Sequence, residues 1–210
     1  MYGLNTALIL IVQTLGSLYL LIVLLRFILQ LVRADFYNPL SQFIVRATQP
    51  LVRPLRRVIP GFGGVDLASL VLAILVQLVL MLLLLLLTRV EGMNGLNLVI
   101  LQYGTGGALL HLVIWSVIAV ASLFLKVFFF AMIISVILSW VAPGSYNPGA
   151  QLINQICEPA LAPFRRLLPN MGGLDLSPIF AFIAIKLIDM LVINNLAMMT
   201  GMPSVLAPFL

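Results

Sequence analysis

Residues 37–67 read YNPLSQFIVRATQPLVRPLRRVIPGFGGVDL, and residues 146–176 read YNPGAQLINQICEPALAPFRRLLPNMGGLDL. At a constant offset of 109 and with no gap, 14 of the 31 positions are identical. The shared residues are Tyr37-Asn38-Pro39, Gln42, Ile44, Pro50, Pro54, Arg56-Arg57, Pro60, Gly63-Gly64 and Asp66-Leu67. Their counterparts are Tyr146-Asn147-Pro148, Gln151, Ile153, Pro159, Pro163, Arg165-Arg166, Pro169, Gly172-Gly173 and Asp175-Leu176. Most are Pro, Gly, Arg, Asn or Asp, which shape backbone rather than fill a core. Shared apolar composition does not produce such a match, so the chain is an internal duplication.

On either side of each copy the sequence is strongly apolar. The chain is 63% hydrophobic and 8% charged, with a mean hydropathy of +1.21, which excludes a soluble globular domain. About 20 helical residues span ~30 Å of hydrocarbon. Membrane helices are therefore expected near 4–32, 67–88, 108–141 and 176–199, the third interrupted by Lys126. The expected fold is an all-α membrane protein, two parallel helix-loop-helix repeats (1–103 and 104–210) with an amphipathic helical loop in each. Met1-Tyr2-Gly3-Leu4-Asn5 lacks a basic segment and reads as the start of an uncleaved anchor. Cys157 is the one cysteine, so no intramolecular disulfide or thiolate metal cluster is expected.

The net charge of +5 is unevenly spread. Arg33, Arg46, Arg53, Arg56 and Arg57 fall in the first repeat loop, and Arg165 and Arg166 in the second. The connection 89–107 has Arg89, offset by Glu91. Lys and Arg in short loops mark the cytoplasmic side. Both repeat loops are thus expected in the cytoplasm and both termini in the periplasm of a bacterial inner membrane. Nucleic-acid binding is not implied, since the basic residues are not interleaved with aromatics.

Within the loops, Asn38-Pro39 and Asn147-Pro148 fit an N-cap followed by proline in the first helical turn. Pro50 and Pro159 should end that helix or start another. Leu40, Phe43, Ile44, Ala47, Leu51, Leu55 and Val58 recur at helical spacing, with Arg46, Arg53 and Arg57 beside them. That pattern suits a helix in the headgroup layer, its arginines near anionic lipid; a re-entrant hairpin is the competing reading. Gly63-Gly64 and Gly172-Gly173 fit tight reversals, with Asp66 and Asp175 as N-caps of the next helices. A glycine pair also suits a phosphate cradle, but no lysine-bearing P-loop follows.

The doubled Y-N-P-x-x-Q, P-x-x-x-P-x-R-R-x-x-P and G-G-x-D-L motifs resemble the YggT (YlmG) family of small bacterial membrane proteins, which has chloroplast counterparts. The resemblance covers nearly the whole chain. It implies an inner-membrane protein linked to envelope or osmotic stress and to cell-division gene neighbourhoods. Plastid relatives are linked to cytochrome b6 haem attachment or nucleoid distribution. No enzymatic activity or cofactor is implied. The second copy departs at Gln155, Ala162 and Asn170, where the first has Arg46, Arg53 and Gly61.

Ionisable side chains inside hydrocarbon cost at least ~2.5–3.5 kcal/mol each, so each needs a reason. Arg26 lies seven residues before Arg33, ~10 Å along a helix, and is expected to snorkel to the headgroups. Lys126 should lie ~24 Å from the cytoplasmic end of its helix, and Lys186 and Asp189 ~16 and ~21 Å from theirs. A Lys126–Asp189 pair is expected, either a lock between helices or part of an ion or proton path. His111 reads as a surface residue and Tyr103 and Trp115 as interfacial aromatics, as do Trp140 and Tyr146 at the inner side.

No residue pattern points to catalysis, a cofactor or a metal. The function expected is a non-enzymatic envelope factor that organises or assists assembly of partner membrane proteins. The alternative is a small ion-conducting or osmoregulatory transport protein acting as an oligomer. Expected partners are anionic lipid in the bilayer and a membrane protein or a second copy of the chain.

Overall fold

In the computed structural model, which describes residues 2–61, 63–90, 92–141, 147–167, 177–203 and 206, the chain is helical almost throughout. The elements are α1 (Tyr2–Leu31), α2 (Pro39–Val58), α3 (Leu67–Leu87), a hairpin of β1 (Arg89–Val90) and β2 (Met93–Asn94), α4 (Gly95–Val141), α5 (Pro148–Leu167), α6 (Ser177–Ile188), a π-helical turn (Asp189–Ile193) and α7 (Asn194–Met199). Four stretches are long and apolar enough to cross a membrane: Leu4–Leu31, Leu67–Leu87, Gly95–Val141 and Ser177–Met199. Their side chains favour hydrocarbon, and a helix satisfies its backbone groups internally, as a bilayer requires.

Helices α1 and α3 run antiparallel, and a side chain ties each end. At one end Asn5 Nδ2 donates to the last-turn carbonyl of Leu87 at 2.8 Å. At the other, Arg26 of α1 meets Asp66, the N-cap of α3. Between them Gly16 admits Leu80 so closely that a Cβ there would lie 2.5 Å from Leu80 Cδ1. The buried residues form two clusters. One joins Leu20–Leu29 of α1 to the starts of α3 and α6, the later part of α4, and both α2 and α5. The other joins Leu80–Leu85, Trp115 and Ala119 to Ile193, Ala197 and Leu206.

Helix α4 departs from expectation. It begins at Gly95 rather than near 108, and it runs unbroken past Lys126. Its break is at Gly104, whose φ of 71° and ψ of 171° leave the helical region. A lysine side chain does not disturb backbone bonding, whereas a glycine without a Cβ takes a left-handed φ at little cost. The stretch expected as the connection 89–107 is instead a short hairpin, turning at Gly92, followed by the first turns of α4.

Helices α2 and α5 form where amphipathic loop helices are expected, but neither stops at its first proline. Pro50 and Pro54 lie inside α2, and Pro159 and Pro163 inside α5. Each proline removes one backbone donor, which leaves the carbonyl four residues earlier unbonded. All four prolines are exposed, on the outer side of their helices, so those carbonyls open outward rather than into the protein. Proline costs least there.

Candidate functional site

Helix α2 has three faces, set by side-chain spacing. Ser41, Ile44, Thr48 and Val52 are buried against the transmembrane helices. Leu40, Phe43, Leu51 and Val58 are exposed apolar residues beside them. Arg46, Arg53 and Arg57 are exposed on the remaining side. Arg56, at the border of the buried face, turns inward instead.

There buried Arg26 and Asp66 form a cluster with Arg56, whose side chain is 43% exposed. Arg26 is 3% exposed and Asp66 2% exposed. Arg26 does not snorkel to the headgroups. Its Nη1 donates to Val45 O at 3.2 Å and Thr48 Oγ1 at 2.8 Å, and its Nη2 to Gln49 Oε1 at 2.9 Å. Its Nε lies 3.8 Å from Asp66 Oδ2. Sequence spacing along α1 could not reveal this, because the partners come from α2, whose placement depends on the whole fold. Arg56 Nη2 donates to Asp66 Oδ2 at 2.5 Å, and its Nε to Oδ1 at 3.3 Å. Asp66 also accepts from the Ser69 backbone N–H at 3.3 Å and from Ser69 Oγ at 2.6 Å, as the expected N-cap. Burial pushes the Asp66 carboxyl pKa up, but the hydrogen bonds from Arg56 and Ser69 outweigh it and hold it below 3.8.

The reversal before Asp66 uses Gly63 at φ +61° and Gly64 at φ +84°, where a side chain would be strained. Gly172, Gly173, Asp175 and Tyr146 lie outside the described residues. The second loop uses different chemistry at matching positions. Ser135 stands where the first copy has Arg26, and its hydroxyl donates to Asn154 Oδ1 of α5 at 3.0 Å. Cys157, opposite Thr48 in the alignment, is buried. Burial is the main reason its thiol is pushed up to about 12. Arg165 pairs with Glu158 of its own helix at 2.6 Å, while Arg166 is exposed.

The two loops meet at one end of the bundle. Asn38 caps α2 by accepting from Leu40 N at 2.9 Å, and its Nδ2 donates to Pro148 O at 2.7 Å. Asn147 accepts from Gly149 N at 2.8 Å in the same manner. Asp35 N donates to Gln155 Oε1 at 3.0 Å, a second link between the loops. Pro39 and Pro148 open their helices as the sequence predicts.

Elsewhere, Lys126, Lys186 and Asp189 line one cavity of about 80 Å³ with Leu125, Phe129 and Phe130. Asp189 opens the π-helical turn, and its buried Oδ1 accepts no hydrogen bond among the described residues. Lys186 Nζ stands 5.0 Å from the Phe129 ring centroid, within cation–π range. Lys126 and Asp189, expected at similar depth, thus line one cavity with Lys186, expected a turn below. The interfacial reading of Trp115 is corrected: it is fully buried, and its Nε1 donates to Thr200 O at 3.2 Å. His111 stacks on Tyr103 at 3.9 Å and bonds Gly107 O at 2.8 Å. A cluster of aromatics thus fastens the end of α7 to α4, whereas Trp140 is 81% exposed.

Fold and site together define a small multi-pass membrane protein whose arginine-bearing helices gather at one end of an all-α bundle. The chain belongs to the CCB3/YggT family, whose pattern matches residues 5–87 and again 114–196. It is 78% identical over 210 residues to an uncharacterized protein of Pseudomonas aeruginosa, with both chains covered in full. It is 34% identical over 180 residues to YggT of Escherichia coli K12, covering 86% of each chain. A shorter likeness, 35% over 66 residues, links it to YlmG homolog protein 2 of Arabidopsis chloroplasts, covering 30% of this chain and 25% of the relative. No solved structure matches.

Proposed function

We propose that this protein is a non-enzymatic envelope factor of the bacterial inner membrane that organises or assists assembly of partner membrane proteins. In this reading both termini are periplasmic, the chain is two parallel repeats, and α2 and α5 lie at the cytoplasmic interface. The supporting observation is the joining of the two loops through Asn38 and Pro148, which puts Arg46, Arg53, Arg57 and Arg166 on helices that meet at one end. The rule that basic loops face the cytoplasm makes that end the inner one. Anionic lipid would hold the helices in the headgroup layer, leaving the basic side for a partner. Links to osmotic stress or cell division rest on the family resemblance. Affinity purification in mild detergent followed by mass spectrometry tests the reading. A reproducible stoichiometric membrane-protein partner, reduced by Arg53→Glu with Arg57→Glu, is expected. Its absence would contradict the reading.

A second reading is small-ion or osmoregulatory transport as an oligomer, favoured by Asp189. A carboxylate with an unbonded buried oxygen, on a π-helical turn beside a cavity that two lysines also line, is the kind of group ion pathways use. Flux across proteoliposomes that is lost in Asp189→Asn would favour it over the first.

A further inference from the structure

Above the buried Arg26–Asp66 contact is an open cavity of about 640 Å³, lined by Arg26, Gln30, Arg33, Gln49 and Arg56 together with Ala34, Phe36, Val45 and Gly64. Three arginines face it, and the acid next to them, Asp66, is already committed to Arg56 and Ser69. Asp35, close in sequence, accepts from the Tyr37 backbone N–H at 2.8 Å. With three arginines and no acid in its lining, the cavity stays cationic even beside the charges of Asp66 and Asp35.

Donors remain unused. A guanidinium has five N–H groups. Arg26 Nη2 gives one of its two hydrogens to Gln49, and Arg56 bonds Asp66 and Gln30 through Nε and Nη2, leaving Nη1. Arg33 has no ion-pair partner among the described residues.

The backbone at Arg33 is a separate observation. Arg33 has φ +54°, the one positive φ among described non-glycine residues. Its N–H donates to Gln30 O at 3.2 Å, and the Ala34 N–H to Leu29 O at 2.8 Å, closing α1 as a Schellman motif. Glycine is the usual residue at that left-handed position, since a Cβ there is strained. An arginine held there places a cation at the mouth of the cavity. The aligned second-copy positions are Ala142, Ser135 and Ser139 for Arg33, Arg26 and Gln30, and Arg165 is neutralised by Glu158. Of the three arginines, only Arg56 has an arginine at its aligned second-copy position.

We propose that this cavity binds a phosphate group, with Arg33 and Arg56 as its ligands and buried Arg26 adding positive charge behind them, and that the phosphate is the headgroup of an anionic phospholipid. Arginine forks match phosphate oxygens in pairs, and Ala34, Phe36 and Val45 give the apolar wall a lipid glycerol would lie against. The lipid source rests on the interfacial placement of α2 given under Proposed function; the phosphate chemistry does not.

The test uses purified, delipidated full-length protein and follows thermal unfolding while short-chain phosphatidylglycerol, short-chain phosphatidylcholine or inorganic phosphate is titrated in. The expected result is saturable stabilisation by phosphatidylglycerol and none by phosphatidylcholine. Arg33→Gln should weaken it at least tenfold, and Arg89→Gln, in the hairpin at the other end of the bundle, should leave it unchanged. Equal stabilisation by inorganic phosphate would keep the site and overturn the lipid assignment. Equal weakening by Arg33→Gln and Arg89→Gln would overturn the site, leaving only diffuse attraction to a basic protein. No stabilisation of the folded wild type by either anion would overturn the proposal, while a partner found by affinity purification would still stand.

Discussion

Arg26 Nε lies 3.8 Å from Asp66 Oδ2, with both residues almost fully buried, and this contact joins the end of α1 to the start of α3 and to α2. A buried charge is tolerable only where its partners surround it. Here the Val45 carbonyl, Thr48, Gln49 and Asp66 surround the guanidinium. The arginine is thus a bracket that holds an amphipathic helix onto a transmembrane hairpin.

Removing the acid should therefore strand Arg26. Asp66→Ala is expected to destabilise the folded protein by ~3–5 kcal/mol, the typical cost of leaving one buried charge unpaired. Arg26→Met with Asp66→Leu should recover part of that loss, though Arg56 loses its partner as well. Thermal unfolding in detergent measures both. Equal stability of wild type and Asp66→Ala would refute the bracket.

The same carboxylate sets a pH response. Its folded pKa is below 3.8 because Arg56 and Ser69 favour the charged form despite burial. A depressed folded pKa contributes stability that is fully present above the unfolded value and lost as pH falls through the folded one. A spin label at Arg53→Cys should report an unchanged α2 from neutral pH down to about 4 and rising mobility below that. Asp66→Asn should abolish the change in that window.

Cys157 should be inert. Its thiol is buried and pushed up to about 12, so almost no thiolate exists at neutral pH. Maleimide should label it only after denaturation; rapid labelling of folded protein would contradict the packing of α5.

At the Lys126–Lys186–Asp189 cavity, Asp189→Asn is expected to lower the unfolding temperature. Lys126→Met with Asp189→Leu should restore much of it if the charges serve packing. Restored stability without restored function in cells would assign them to transport or partner recognition.

Much of the fold was legible because membrane helices are read from continuous hydropathy and cap residues from local spacing. Asn38, Asn147 and Asp66 cap where expected, since an N-cap depends only on residues two or three positions on. The prolines misled because the cost of proline depends on which side of a helix faces out, and that side is set by packing. Arg26 and Trp115 misled for a related reason. Depth along a helix can be counted, but rotation toward α2 or toward Thr200 comes from tertiary structure. The matched depth of Lys126 and Asp189 could be counted in the same way, but their turning toward one cavity could not.

The central claim is that both arginine-bearing helices lie on the cytoplasmic face. Arg46→Cys and Arg166→Cys, each on the unreactive Cys157 background, can be labelled in intact cells with a membrane-impermeant maleimide. Protection of both in intact cells, with labelling of both after permeabilisation, is the predicted result. Labelling of either from outside would contradict the claim.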